Sequence, residues 1–173
     1  MTVFDRSRSP GSRAAILLRT HTFSTFVSKW TMKPIHALNH VGIAVRSIAE
    51  QRPFYEQQLG AKFECIEEVP SQKVRVAFLR VHDVRLELLE PTDPSSTVQT
   101  FLDKRGEGLH HLAFTVDNLP ERIAELKASG VRMIDESPRV GAHQMQIAFI
   151  HPKSSFGVLT ELCEPRGEAQ HNA

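Results

Sequence analysis

Cysteine is nearly absent from this chain of 173 residues: only Cys65 and Cys163 occur. Two thiols so far apart, in a sequence with no secretory pattern, are expected to be reduced, and they exclude a disulfide framework as the source of stability. Long hydrophobic runs are missing too. No stretch approaches the roughly 20 apolar residues that a membrane-spanning helix needs, so no membrane partner is expected. A surplus of charge is also lacking, with 21 Lys or Arg against 20 Asp or Glu. Residues 1–33 hold six of the basic residues and a single acid, Asp5, which leaves 15 basic against 19 acidic residues in the remainder. A mildly acidic body without a basic stripe matches a polyphosphate backbone poorly, so nucleic acid is not expected as a partner either. What the chain does have is apolar content, 40% of residues, enough at this length to bury one core.

Residues 1–33 are rich in Arg, Ser and Thr and almost free of acids, the composition of an organelle transit peptide, and they lack the apolar segment of a secretory signal. A second account is that the compact domain starts near Met32, directly before the first strand-like segment, and that what precedes it is an extended reading frame. The first account is a transit-like or disordered leader; a transit peptide would fit the mitochondrial matrix, whereas a start near Met32 implies the cytoplasm. Either way the expected organisation is a leader over 1–33, one domain over 34–167 and a flexible tail over 168–173.

Self-similarity is the informative feature. Leu38 to Val45, LNHVGIAV, returns as LHHLAFTV at Leu109 to Val116, with His40 matching His111 at an offset of 71. The same offset carries VRVAFL (Val74 to Leu79) onto MQIAFI (Met145 to Ile150), and an offset of 74 carries LELLEP (Leu86 to Pro91) onto TELCEP (Thr160 to Pro165), so that Glu87 matches Glu161. Three blocks in order with one small insertion describe a duplicated module, over about 36–91 and 107–165. Val41, Ile43 and Val45 alternate with His40, Gly42 and Ala44, the period of a half-buried strand. Ser47 to Leu59 predicts a helix stopped at Gly60, and strands are expected near 63–69, 74–81 and 84–90. The second copy predicts a strand over 109–116, a helix over 120–128 stopped at Gly130, and strands near 131–135, 144–150 and 157–163. Between the copies Ser96 predicts the cap of a short helix. Each module therefore reads βαβββ, and the fold class is α+β.

Residues at equivalent positions of a duplicated module are related by a pseudo-two-fold axis, so His40, Glu87, His111 and Glu161 are expected to converge. Parity within the first strands puts Val41, Ile43, Val45 and Leu112, Phe114, Val116 on the core side and the histidines on the other. Two imidazoles and two carboxylates form a mixed nitrogen and oxygen set suited to Co, Mn, Ni, Fe or Zn, with positions left open for substrate oxygens. His36, His82, His110, His143 and His151 have no counterpart in the other copy and are read as structural or surface residues.

The same residues carry a resemblance. The duplicated module and its His, Glu, His, Glu pattern resemble the vicinal oxygen chelate superfamily of glyoxalases, bleomycin-resistance proteins and dioxygenases. Within it, GEGLHHLAF, HPKSSFGVLTEL and EEVPSQKVRVAFL are similar to the methylmalonyl-CoA epimerase family, over roughly residues 36–165. The resemblance implies a concave mixed sheet and a homodimer. It implies metal ligation by His40, His111 and Glu161, with Glu87 at a position that holds Gln or Glu in relatives. It also implies epimerisation of methylmalonyl-CoA at C2, by proton removal and return through a metal-stabilised enolate. Glu161 is the first candidate for the acid and base role, doubling as ligand, and Glu87 is a candidate for the other face of the carbon. Gln72 can only position groups, and the strand from Val74 offers no acid before Asp83. Lys153, Ser154 and Arg139 are candidates for CoA phosphates on charge grounds. Two other readings share the fold: a glyoxalase I-like isomerase acting on a glutathione adduct, and a ligand-sequestration protein without chemistry.

Overall fold

The computed structural model describes residues 32–166; the leader and tail expected at 1–33 and 168–173 lie outside these residues, apart from Met32 and Lys33. Strand β1 (Ala37–Ala44) holds the alternation noted above, and its two neighbours in the sheet come from both copies of the repeat. It runs parallel to β4 (Val84–Pro91) and antiparallel to β5 (Gly108–Thr115), the first strand of the second module. With β2 (Lys62–Val69), β3 (Val74–Val81), β6 (Arg139–Val140), β7 (Met145–Ile150) and β8 (Thr160–Pro165), the sheet has the order β2-β3-β4-β1-β5-β8-β7-β6. Each half is a βαβββ unit, and the halves are joined through β1 and β5, the strands that carry the matched histidines. The sheet curls, because residues of β3, β4 and β1 line one cavity together with residues of β5, β7 and β8.

The helices start and stop where local chemistry requires. The Ser47 side chain accepts from the Glu50 N–H at the start of α1 (Ile48–Pro53), which continues as a π-helical turn over Phe54–Gln58. Gly60 ends it at φ +73°, a left-handed angle that costs glycine little. Ser96 accepts from the Val98 N–H and caps α2 (Thr97–Arg105) as predicted. Asn118 accepts from Glu121 N–H at the start of α3 (Leu119–Ala128).

Both faces of the sheet are covered. On the outer face Ile48 packs with Ala77, Leu79 and Leu88 in the first half, and Leu119 and Ile123 pack with Ala148, Ile150 and Leu162 in the second. On the inner face α2 sends Val98 and Leu102 against Val74, Val76, Phe78 and Leu89. Phe78, Leu79 and Leu88 are completely buried, each contributing about 1.5–3 kcal/mol of hydrophobic stabilisation.

Two expectations need correction. The parity of β1 and β5 is as predicted, but the histidine side is the better enclosed: His40, Gly42 and Ala44 are buried while Val41 and Ile43 are half-buried. Curling brings the two halves over the histidine side, whereas the opposite side is covered only by helices. The strand expected near 131–135 is a single bridge, Met133 to Ile150, and pairing with β7 resumes only at Arg139–Val140. Between them the Asp135 carboxylate accepts the Phe149 N–H that a neighbouring strand would otherwise take, and Pro138 has no N–H to offer.

Candidate metal centre

On β1 and β5 the inward positions are His40, Gly42 and Ala44, facing His111 and Ala113. The register sets His40 opposite Ala113 and Gly42 opposite His111. Each imidazole therefore lies across a small residue on the other strand, and the two small residues are themselves equivalent under the repeat. At Gly42 the fit is absolute: a Cβ there would lie 2.2 Å from Cε1 and 2.4 Å from Nδ1 of His111. The close approach of the ring to the β1 backbone is what this glycine permits.

Three of the four side chains singled out by the repeat come together, and the fourth, Glu87, stands beside them. His40 Nε2 is 3.0 Å from His111 Nε2. Glu161 reaches in from β8, with Oε1 3.7 Å from His40 Nε2 and Oε2 3.6 Å from His111 Nε2. One ligand atom from each of these three residues lies within 4.8 Å of the other two, and all three residues are buried. Glu87, also buried, approaches from the other side of the His40 ring, with Oε1 3.4 Å from Nδ1. Asn39 Oδ1 is 3.0 Å from the same nitrogen. Two acceptors at Nδ1 favour the tautomer that carries its proton there, which leaves the Nε2 lone pair aimed into the cluster. His111 is oriented similarly, by His110 Nδ1 at 2.9 Å from its own Nδ1. His110, read from sequence as a structural or surface residue, is thus a positioning group for His111, of the kind that fixes the ring of a metal ligand.

Burial dominates the electrostatics. It holds the His40 imidazole down at about 4, with help from the Arg85 charge, and His110 likewise at about 4. His111 lies well below the usual imidazole range, through burial and then through His40 and His110. Burial pushes the Glu87 carboxyl up to about 8 against the opposing pull of Arg85, and it raises Glu161 well above its ordinary value, reinforced by Glu87. Neutral imidazoles next to carboxyls reluctant to ionise without positive charge beside them suit a borderline divalent cation held by His40, His111 and Glu161. The donor set fits such a group.

The pH dependence of the metal-free protein follows from these shifts. A carboxyl raised from 4.5 to about 8 contributes stability present below 4.5 and lost as pH rises through 8. An imidazole lowered from 6.5 to about 4 contributes stability present above 6.5 and lost as pH falls through 4. A cation competes with the carboxyl proton, so the rise in melting temperature on adding Co²⁺ or Mn²⁺ is expected to be larger near pH 8 than near pH 5.5, with protons released on binding. Thermal melts at both pH values and titration in weak buffer measure this; an equal rise at both pH values, or no proton release, contradicts it.

A cavity of about 190 Å³ opens beside the cluster, walled by Val74, Val76, Leu89 and Ile147 and reached by Gln72 and Arg139. Arg139 is held by the Asp135 carboxylate at 3.0 Å, with its guanidinium over the Phe149 ring, so it belongs to the cavity rather than to a solvated loop. Ser154 Oγ is occupied by the Arg132 N–H, and Lys153 sits on the adjacent turn Pro152–Ser154. A second groove joins His110 and His111 to Lys104 and Arg105 of α2, cations that the sequence reading did not single out. Of the unmatched histidines, His36 is exposed beside Asp117, His82 is exposed, and His151 caps its own turn. His143 is different: it lines the cavity.

Residues 39–149 match the model of the family described as Glyoxalase/Bleomycin resistance protein/Dioxygenase superfamily. The chain is 49% identical to the uncharacterised protein YqjC of Bacillus subtilis over 138 residues, which is 80% of this chain and 98% of that one. It is 36% identical to the mitochondrial methylmalonyl-CoA epimerase of Homo sapiens over 126 residues, 72% of each chain. A solved methylmalonyl-CoA epimerase in complex with methylmalonyl-CoA and NH4+ superimposes with a TM-score of 0.74 at 35% identity, covering 78% of this chain and 97% of that one.

Proposed function

Because the chain belongs to the glyoxalase/bleomycin resistance protein/dioxygenase superfamily, and within it to the methylmalonyl-CoA epimerases, a family of isomerases, we propose that it interconverts the C2 epimers of methylmalonyl-CoA at the centre formed by His40, His111 and Glu161. The observation that carries this reading is the convergence of these three buried side chains at the wall of one cavity.

The C2 proton of the substrate lies between a thioester and a carboxylate, and its removal spreads negative charge over their oxygens. His40, His111 and Glu161 would hold a divalent cation, which would supply the positive charge that favours this distribution. The protein does the rest. Burial keeps the two imidazoles neutral, and Asn39, Glu87 and His110 hold their rings in place. Burial raises the proton affinity of Glu161, and its carboxylate, at the wall of the cavity, is the group placed to take the C2 proton and to give it back. Apolar walls from β3, β4 and β7 limit competing water. Glu87 serves on this reading as a further ligand or as the acceptor that orients His40. A homodimer remains part of the proposal.

Turnover of single methylmalonyl-CoA epimers, followed before and after chelator treatment and metal return, tests the reading. Epimerisation that falls with chelation and recovers with Co²⁺, Mn²⁺, Ni²⁺, Fe²⁺ or Zn²⁺ is expected. Turnover of methylglyoxal with glutathione but not of methylmalonyl-CoA would replace the proposal with the glyoxalase I-like one.

A further inference from the structure

Inverting a carbon centre requires a proton carrier on each side of it. Glu161 is one such carrier, standing on β8 in the second half of the sheet. Apart from the grouped side chains and His110, which is engaged with His111, the cavity is lined by the titratable groups Arg85, Arg139 and His143. Arginine does not release its proton near neutral pH. His143 remains.

Its placement is on the opposite side. The segment 142–144 belongs to the second module but reaches over to the first: the His143 backbone N–H donates to Glu67 Oε2 at 3.1 Å on β2, and the imidazole Nε2 lies 3.8 Å from Cys65 Sγ on the same strand. The ring stands edge-on to Phe78 of β3 with centroids 4.0 Å apart, and Phe78 is directly across from Glu87 in the β3–β4 register. His143 thus borders the cavity against β2 and β3 of the first half of the sheet, whereas Glu161 stands on β8 of the second. Cys65 and Glu67 are the titratable groups facing it from β2, and β3 offers it Phe78. Among the described residues Nδ1 has no hydrogen-bond partner, in a side chain that lines the cavity. His143 and Gln144 hold φ of +49° and +55°, angles that cost a non-glycine residue energy and that the contacts to β2 and β3 maintain.

We propose that His143 is the second proton-transfer residue of this site, meeting C2 of the acyl substrate on the face opposite Glu161; this rests on the epimerase reading above. In one direction the Glu161 carboxylate takes the C2 proton, and the C–H electron pair moves onto the acyl oxygens. Protonated His143 then gives its proton to the other face of C2, the electron pair returns to form the new C–H bond, and imidazole is left neutral. Exchange with solvent deprotonates Glu161 and reprotonates His143, and the reverse reaction exchanges their roles.

The test uses His143→Asn, which tolerates the left-handed angle, and His143→Gly, which relieves it. Epimerisation is expected to fall about 10²- to 10⁴-fold in both, the range of a lost general acid or base. Deuterium from D₂O is expected to enter C2 of only one epimer, the one whose proton faces Glu161, with configuration retained. Free imidazole is expected to restore part of the epimerisation in His143→Gly. Epimerisation near the wild-type rate in either variant overturns the inference alone. So does equal loss of exchange from both epimers at unchanged melting temperature and metal content, which is the signature of a structural residue. A wild-type protein that exchanges neither epimer overturns the epimerase reading and this inference with it.

Discussion

Glu161→Gln is expected to abolish nearly all epimerisation, lowering the rate about 10³-fold or more, within or above the range for loss of a single general base. In transition-state terms that is roughly 4 kcal/mol. Glutamine keeps the shape of the side chain and its packing beside Phe149 and His111, so the fold is expected to survive. It removes the ionisable carboxylate whose two oxygens face the two imidazoles, one each, at 3.6 and 3.7 Å, and with it the proposed carrier of the C2 proton. Because the wild-type carboxyl is buried and reluctant to ionise, the metal-free variant is expected to melt at or above the wild-type temperature, since a neutral amide carries none of the cost of burying a charge. The two effects together distinguish a functional carboxylate from a structural one. Rates measured on single epimers, alongside metal affinity and thermal melts of the metal-free proteins, check the claim. A variant that retains a tenth or more of wild-type epimerisation removes Glu161 from the chemistry.

Gly42→Ala is expected to damage the same centre and the fold together, although the position is a glycine with no side chain to take part in the chemistry. The added methyl would sit 2.2 Å from His111 Cε1 and 2.4 Å from Nδ1, about 1 Å or more inside ordinary contact. The ring has nowhere to retreat: His40 Nε2 stands at 3.0 Å, His110 Nδ1 at 2.9 Å, and the Phe149 ring closes the remaining side with centroids 5.4 Å apart. His111 must therefore tilt away from the position in which it faces Glu161. Misplaced ligand geometry is expected to weaken divalent-metal affinity about 10- to 100-fold, with epimerisation falling alongside, and overpacking is expected to cost about 1–3 kcal/mol of stability. Metal titration and denaturant melts measure both. Unchanged metal affinity together with unchanged turnover would show that His111 is not held as described.

Much of this was legible in the sequence because the repeat supplied its own control. A histidine on one strand carries little information, but His40 and His111 at matching positions, followed by Glu87 and Glu161, imply an axis and a meeting point. The strands and helices were readable from alternation and from Ser47, Ser96, Gly60 and Gly130, since capping and left-handed turns are local chemistry. The expected strand at 131–135 failed for a non-local reason, the Asp135 carboxylate bonding to Phe149 on the neighbouring strand. His110 and His143 were passed over because the repeat gave them no counterparts, and nothing near either in sequence marks its role.

By itself the sequence determined two like modules, the face of each strand on which its imidazole or carboxylate lies, and the membership of the chain in its family. Tertiary structure alone decided that three of the four repeated side chains face one another while Glu87 meets the far nitrogen of His40, that His111 needs a glycine beneath it, and that His143 reaches the cavity across 78 residues from Cys65. The reason is physical. Periodicity along a chain fixes which way a side chain points, but the separation between groups on different strands is set by the curl and register of the closed sheet, which no local run of residues encodes.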